Sequence, residues 1–396
     1  MASETILGKG FEKKSQGESK MSKAKEIIFA WSQSVDINCY TKIMDYRPNY
    51  KIQFIWLVIL LGSTGATFYF IAKSLIDYFG YEVVSKTNVV YEIPTQFPTV
   101  TFCDNNPFST YEAQAYMESI GKINNISSDS SVVFLTQLNA SNPSTSDDMR
   151  KNLGLNLGQI SCTYDYTDCL NDLHWYWSFF YGNCYQFNLG LNLTNQNVDL
   201  KETYRNGKGF GLNIKIDLID ENEYLSSYAN GLVVYVHNSS FQPSEEINVE
   251  PGKLTSIKVK RTFVEKQPSP YSDCIELTTY SSLLYDYIIN SSRNYRQQDC
   301  FELCLQKLAI EQCKCYFPGY QNLSTQVRPC LILSDYDCLD QQYTDFNMNE
   351  CQTKYCPLEC NSVKVLNIRV KVCFKIRFIH KIIVTISKGF IMKHLV

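Results

Sequence analysis

Fourteen of the sixteen cysteines of this 396-residue chain fall between Cys103 and Cys360, with Cys39 before that block and Cys373 after it. An even set of half-cystines crowded into one stretch reads as a disulfide framework built in an oxidising compartment. The same stretch holds all six Asn-x-Ser/Thr sequons, at Asn125, Asn139, Asn192, Asn238, Asn290 and Asn322. Single sequons arise by chance. Six confined to the cysteine block agree with secretion and weigh against free buried thiols in a cytosolic enzyme.

The chain reaches that compartment without a cleavable leader in its first fifty residues, which are polar and Lys-rich. Residues 52–72 carry no charge and are long enough to cross a bilayer as a helix. Lys42, Arg47 and Lys51 precede this run closely, so the positive-inside bias puts the N-terminus in the cytosol, the orientation the sequons also demand. Apolar content of 44% excludes wholesale disorder, and a net charge of −3 argues against a nucleic-acid binder. The charge is segregated. Residues 361–396 carry eight Lys/Arg and no acid, the start is mildly basic, and the body between is acidic.

Within the block, apolar alternation bounded by Gly and Pro predicts strands at 99–102, 211–218, 232–237 and 254–259, and apolar spacing predicts helix over 281–308. The Ser/Asn-rich stretch 124–147 reads as an exposed loop. Residues 361–396 read as a basic tail, too often interrupted by charge to span, with partial helical spacing of a membrane-surface segment. Catalytic chemistry finds little support. The four histidines, His174, His237, His380 and His394, lie in no metalloprotease motif, and there is no nucleophile elbow or phosphate loop. Cys300/Cys304 and Cys313/Cys315 have short spacings, but zinc sites of that kind belong to reducing compartments, so neither a metal nor a cofactor is expected. Cys313 and Cys315, one residue apart, would reach two partners across a hairpin more readily than each other. The cysteines from Cys274 to Cys360 thus read as nested bridges between an outgoing and a returning arm, with their connectivity left open by spacing.

Some runs are recognisable. Phe97-Pro98-Thr99-Val100-Thr101-Phe102-Cys103-Asp104-Asn105-Asn106-Pro107-Phe108 closely resembles the signature FPxVTxCNxNPF that follows the first span in the degenerin/epithelial sodium channel family. Gly182-Asn183-Cys184-Tyr185-Gln186-Phe187-Asn188 resembles that family's GxCYTFN. Gly211-Leu212, Gly231 to His237 with Pro243, Pro270 to Cys274, the cysteines from Cys300 to Cys315, and Cys356-Pro357-Leu358-Glu359-Cys360 extend the likeness over roughly residues 30–363.

The resemblance implies an α+β membrane protein. One N-terminal transmembrane helix is followed by a disulfide-rich, β-rich ectodomain of palm, β-ball, finger, knuckle and thumb. Its members are sodium-selective, amiloride-sensitive subunits of homo- or hetero-trimers in the plasma membrane, opened by protons, peptides or force. For this chain it implies a cytosolic N-terminus at 1–51, the span at 52–72, an extracellular ectodomain at 73–360 with a thumb ladder from 274, and an atypical tail at 361–396. It implies sodium passage through the assembled channel, a peptide among the ligands, and a contact between thumb and span at Tyr78. It also implies the pairs Cys103–Cys184, Cys162–Cys169, Cys274–Cys360, Cys300–Cys356, Cys304–Cys351, Cys313–Cys338 and Cys315–Cys330, with Cys39 and Cys373 unpaired.

Two departures stand out. The family's cytosolic His-Gly gating motif aligns with Asn38-Cys39. The second span and its filter have no counterpart, and residues 361–396 do not resemble the family's return to the membrane. The reading from sequence is therefore a channel subunit whose tail is an alternative transcript end, whose ectodomain lacks its last palm strands, and which does not conduct alone. The competing reading is a single-pass receptor or adhesion protein, or a subunit that joins and silences intact ones.

Overall fold

The computed structural model describes residues 50–124, 129–205, 207, 210–218, 231–239, 243, 245–276, 280–291, 294–375 and 381–395, together with 23, 26, 27, 30 and 31. The uncharged run lies inside helix α1 (Tyr50–Phe79) of 30 residues, with apolar side chains on every face. Among the described residues it is the one helix long and apolar enough to cross a membrane. The chain divides into two units, one ending at Glu82 and the other starting at Val83. The second holds everything that follows.

It begins with β1 (Lys86–Val90), β2 (Thr95–Gln96) and β3 (Thr99–Asp104), then helices α2 (Tyr111–Asn124), α3 (Asp129–Ala140) and α4 (Asp147–Lys151). Next come β4 (Ile160–Tyr164), β5 (Thr167–Asp168), the hairpin of β6 (Leu173–Ser178) and β7 (Gly182–Phe187), β8 (Glu202–Thr203) and β9 (Gly211–Asp217). They are followed by β10 (Leu232–His237), β11 (Glu246–Val249) and the long β12 (Lys253–Glu265). A helical arm leaves the sheet through β13 (Cys274–Ile275), α5 (Leu283–Asn290), α6 (Gln297–Cys313), β14 (Cys315–Tyr316) and β15 (Arg328–Pro329). It returns through α7 (Leu333–Thr344), α8 (Met348–Lys354) and β16 (Leu358–Glu359), and the chain closes with β17 (Asn361–Lys375) and β18 (Lys381–Leu395).

The large sheet runs β17-β12-β18-β9-β4-β5, with β1 beside β18, and the smaller one runs β11-β10-β3-β7-β6. Their inner faces share one core, in which Phe102, Phe187 and Val234 of the smaller sheet pack with Ile214, Ile257 and Val384 of the larger. Phe97, Phe102 and Phe187 are all within 2% of full burial, so this core provides the main hydrophobic driving force. The arm has a core of its own, in which Leu284, Ile288, Tyr295 and Leu303 pack against half-cystines.

Three sequence expectations change here. The stretch 124–147 is not all loop, because α3 runs through it and buries Leu135 and Leu138 against Phe179 and Phe317. The helical stretch 281–308 is two helices, α5 and α6. Ser282 caps α5, accepting the Tyr285 N–H. The basic tail is not a surface helix. It supplies β17 and β18, the strands on either side of β12, so the large sheet does not lack them. The physical reason is period-two burial, with Ile382, Val384 and Ile386 in the core and Ile383 and Thr385 less buried between them.

Candidate functional site

Strand register places four chain segments in one row at one end of the large sheet. Asn361 of β17 faces Glu265 of β12, Glu265 faces Leu395 of β18, and Leu395 faces Lys86 of β1. β12 and β18 are parallel, while β17 and β1 are antiparallel to their neighbours. The arm is rooted on the same row, because it leaves the sheet after Glu265 and rejoins it at Asn361. At its base the Lys266 N–H donates to the Cys360 carbonyl at 2.8 Å, and Cys274 is bonded to Cys360. Arg261 of β12 pairs with Glu92, two residues beyond β1, which ties the arm's root to the first strand after the span. In sequence only residues 80–85 separate α1 from Lys86.

Above its root the arm is cross-linked along its length. The bonds Cys300–Cys356, Cys304–Cys351, Cys313–Cys338 and Cys315–Cys330 lie one inside the next within the loop closed by Cys274–Cys360, with separations falling from 86 to 15 residues. Three of these half-cystines sit on α6, where Cys300 and Cys304 are one turn apart. Each bridge contributes about 2–4 kcal/mol, mainly by limiting the unfolded chain. Outside the arm, Cys103–Cys184 joins directly opposed residues of β3 and β7, and Cys162–Cys169 closes a short loop.

Polar clamps add to the covalent ones. The amide of Gln306, wholly buried on α6, donates to the carbonyls of Phe317 and Gln321 at 3.0 and 3.3 Å and accepts the Phe317 N–H at 2.9 Å. It thereby pins the loop after β14. Asp335 receives both ends of the Arg328 guanidinium at 2.7 Å and the N–H groups of Leu331 and Ile332. Burial alone would raise its pKa, but these donors outweigh it and hold the carboxyl below its ordinary range. Asp335 also lies beside the sulfurs of Cys315 and Cys330. Those sulfurs are bonded to each other and the carboxylate is taken by Arg328, so the trio is not a metal centre.

The smaller sheet buries a carboxyl and an imidazole. Asp104 ends β3 with 6% exposure and accepts the Asn106 N–H at 3.0 Å. Burial pushes its pKa up to about 7, partly offset by that hydrogen bond. Sequence reading passed over it, although Asp stands there where the signature has Asn. His237 sits with Nε2 2.8 Å from the Thr101 hydroxyl, which also accepts from the Gln186 amide at 3.0 Å. Its Nδ1 donates to the Asn238 carbonyl at 2.9 Å, since a carbonyl can only accept, and in the neutral ring Nε2 then accepts the Thr101 hydroxyl proton.

The remaining sequence candidates are scattered. Asn38, Cys39 and Asn125 lie outside the described residues. Tyr78 is in the last turn of α1, edge-to-face with Phe79. Asn290 is exposed at the end of α5, whereas the Asn139 amide donates to the Leu135 carbonyl within α3. Asn192 organises a turn by accepting from Thr194 and Gln196, and Asn322 accepts from Ser324. Asn238 follows β10, and Cys373 lies in β17 opposite Leu254.

A family model described as amiloride-sensitive sodium channel matches residues 31–369. Acid-sensing ion channel 1C of Danio rerio is 26% identical over 316 residues, covering 70% of this chain and 57% of that protein. The FMRFamide-activated amiloride-sensitive sodium channel of Cornu aspersum is 22% identical over 362 residues, covering 83% of this chain and 54% of that one. The gamma subunit of the epithelial sodium channel of Pelodiscus sinensis is 31% identical over 140 residues, 34% of this chain and 19% of the subunit. The chain thus spans little more than half the length of the Danio rerio and Cornu aspersum relatives.

Proposed function

Because the chain belongs to the amiloride-sensitive sodium channel family, a family of ion channels and not of enzymes, we propose that it is a subunit of a sodium-selective channel of the plasma membrane. Its N-terminus is cytosolic and residues from Val83 on are extracellular. It assembles as a homo- or hetero-trimer around a pore, and a peptide ligand, as in the name of the Cornu aspersum relative, is among its stimuli. The observation that carries this reading is the row Asn361–Glu265–Leu395–Lys86, on which a stapled arm is rooted beside the strand that follows the span in sequence. A stiff arm fixed to that row turns a displacement at its tip into a displacement of the strands that lead to the membrane.

Sodium selectivity needs oxygens arranged around an axis to replace the ion's hydration shell. Residues 361–375 and 381–395 are committed to the sheet, so these 396 residues expressed by themselves carry no such ring and give no sodium current. Voltage-clamp recording tests this with the 396-residue chain and with the same chain joined after Leu395 to a second apolar span carrying the filter the family resemblance implies. The expected result is an amiloride-blocked sodium current from the extended chain only, under an acid or peptide pulse, with glycosidase lowering the mass of both. Current from the unextended chain, or a silent extended chain at the cell surface, would contradict the reading.

A further inference from the structure

The hairpin of β4 and β5 lies at one edge of the large sheet, and its ladder pairs Tyr164 with Thr167, so Asp165 and Tyr166 alone make the turn. Both are left-handed, with φ of 46° and 68°. A two-residue turn of this hand suits Asp in its first place and Gly in its second. Tyr in the second place is strained, because a bulky side chain at positive φ is an outlier. No burial offsets that strain. Tyr166 is 78% exposed, and its ring stands edge-on to Phe210 with centroids 6.1 Å apart. The Cys162–Cys169 bond closes the base of the hairpin, which places its folding in an oxidising compartment.

Acids frame this phenol. Asp165 precedes it, Asp168 is two residues on, and both are exposed. Tyr164 shares these neighbours, but its hydroxyl donates to the Glu202 carbonyl at 3.1 Å and its ring packs against Phe97 and Phe187. Tyr343 is 69% exposed with Asp340 and Asp345 nearby, yet Gln342 precedes it and it lies in the last turn of α7. Tyr166 thus combines an exposed turn with flanking carboxylates. Such a site attracts an enzyme whose own site is cationic, and a transferase that binds an anionic activated donor is of that kind. A new negative charge would also find a counter-ion. The Arg205 guanidinium lies 4.9 Å over the ring of Phe210, which Tyr166 also meets. Among the described residues Arg205 is in no ion pair. An arginine beside an added anion is the arrangement in which a charge-changing modification orders a loop.

We propose that Tyr166 is a tyrosine O-sulfation site whose sulfate ester is held by Arg205. The phenol oxygen attacks the sulfur of a nucleotide phosphosulfate. An O–S bond to tyrosine forms, the S–O bond to the nucleotide phosphate breaks, and the phenolic proton passes to a base of the transferase. This rests on the extracellular placement of residues from Val83 on in the function above.

The full chain is expressed in cultured animal cells fed radiolabelled sulfate, purified in detergent, freed of N-glycans by glycosidase and hydrolysed in alkali, which tyrosine sulfate survives. Labelled tyrosine sulfate is expected from the parent, from Tyr164→Phe and from Tyr343→Phe. None is expected from Tyr166→Phe, which keeps the ring against Phe210 and should keep the glycosidase shift. Asp165→Asn, with a residue that tolerates the left-handed turn, should lower the label severalfold. The sulfated chain should be cut by trypsin after Arg205 severalfold more slowly than chain from cells whose sulfate activation is blocked with chlorate, because the paired guanidinium is less available. An unlabelled parent, or label that survives Tyr166→Phe, overturns the proposal, and equal cleavage after Arg205 overturns the pairing. A glycosidase shift without label sinks this inference alone, whereas the absence of both sinks the extracellular reading with it.

Discussion

Asp104 shows how much one position can hold that its neighbours in sequence do not reveal. Burial in β3 lifts its pKa to about 7, above the ordinary carboxylate value, so the folded state holds the proton more tightly than the unfolded chain. Its contribution to stability is complete below about pH 4, falls as pH rises toward 7, and is level above that. Asp104→Asn keeps the acceptor for the Asn106 N–H and removes the charge. Melting temperature followed from pH 5 to 8 should slope downward in the parent and lie flatter in the variant. The variant should be the more stable at pH 7.5, by about 4 kcal/mol at the upper bound. Parallel profiles would show that Asp104 is not the titrating group. The burial comes from strands distant in sequence, β7 and β10 on either side of β3, which is why no local signal announced it. The half-cystines are the opposite case. Their clustering was plain from sequence as a framework, while spacing left the partners open and only likeness to a family suggested them.

At the scale of elements, strands with clean alternation and Gly or Pro at their ends were legible: β3, β9 and β10 appear within two residues of where the pattern put them, while β12 begins there and runs six residues further, to Glu265. The last two strands were not. Their many charges obscured the period, and in β17 the alternation itself slips, from Val363 and Val365 to Ile368, Val370 and Val372. The register with β12 shifts at that place, between Lys258 and Val259, so a bulge accounts for the slip. Gly211 offers a test of where β18 lies. A Cβ on Gly211 would sit 2.1 Å from the Ile386 carbonyl oxygen, because β9 and β18 approach closely there. Gly211→Ala should therefore destabilise the fold by about 2 kcal/mol, read by thermal unfolding. A neutral Gly211→Ala would mean that β18 does not lie against β9.

At the scale of the molecule, the second unit is two sheets around one core, with a cross-linked arm planted on the end of the larger sheet where the first and last strands meet. That meeting is what carries the proposed reading, because it gathers the strand that follows the span in sequence, the root of the arm and the last strand in one place. Its most direct test is cross-linking across β1 and β18. The pairs Asn88/Lys393 and Val89/Met392 face each other in antiparallel register, and of two consecutive pairs one is the narrow kind with side chains closest. Each pair is replaced by cysteines in a chain with Cys39 and Cys373 changed to serine, and the product is mapped by non-reducing peptide analysis. The account predicts an 88–393 or 89–392 disulfide in the intact membrane protein, and none when the second cysteine is moved to position 384. Free thiols at both facing pairs, or equal cross-linking to position 384, would contradict it.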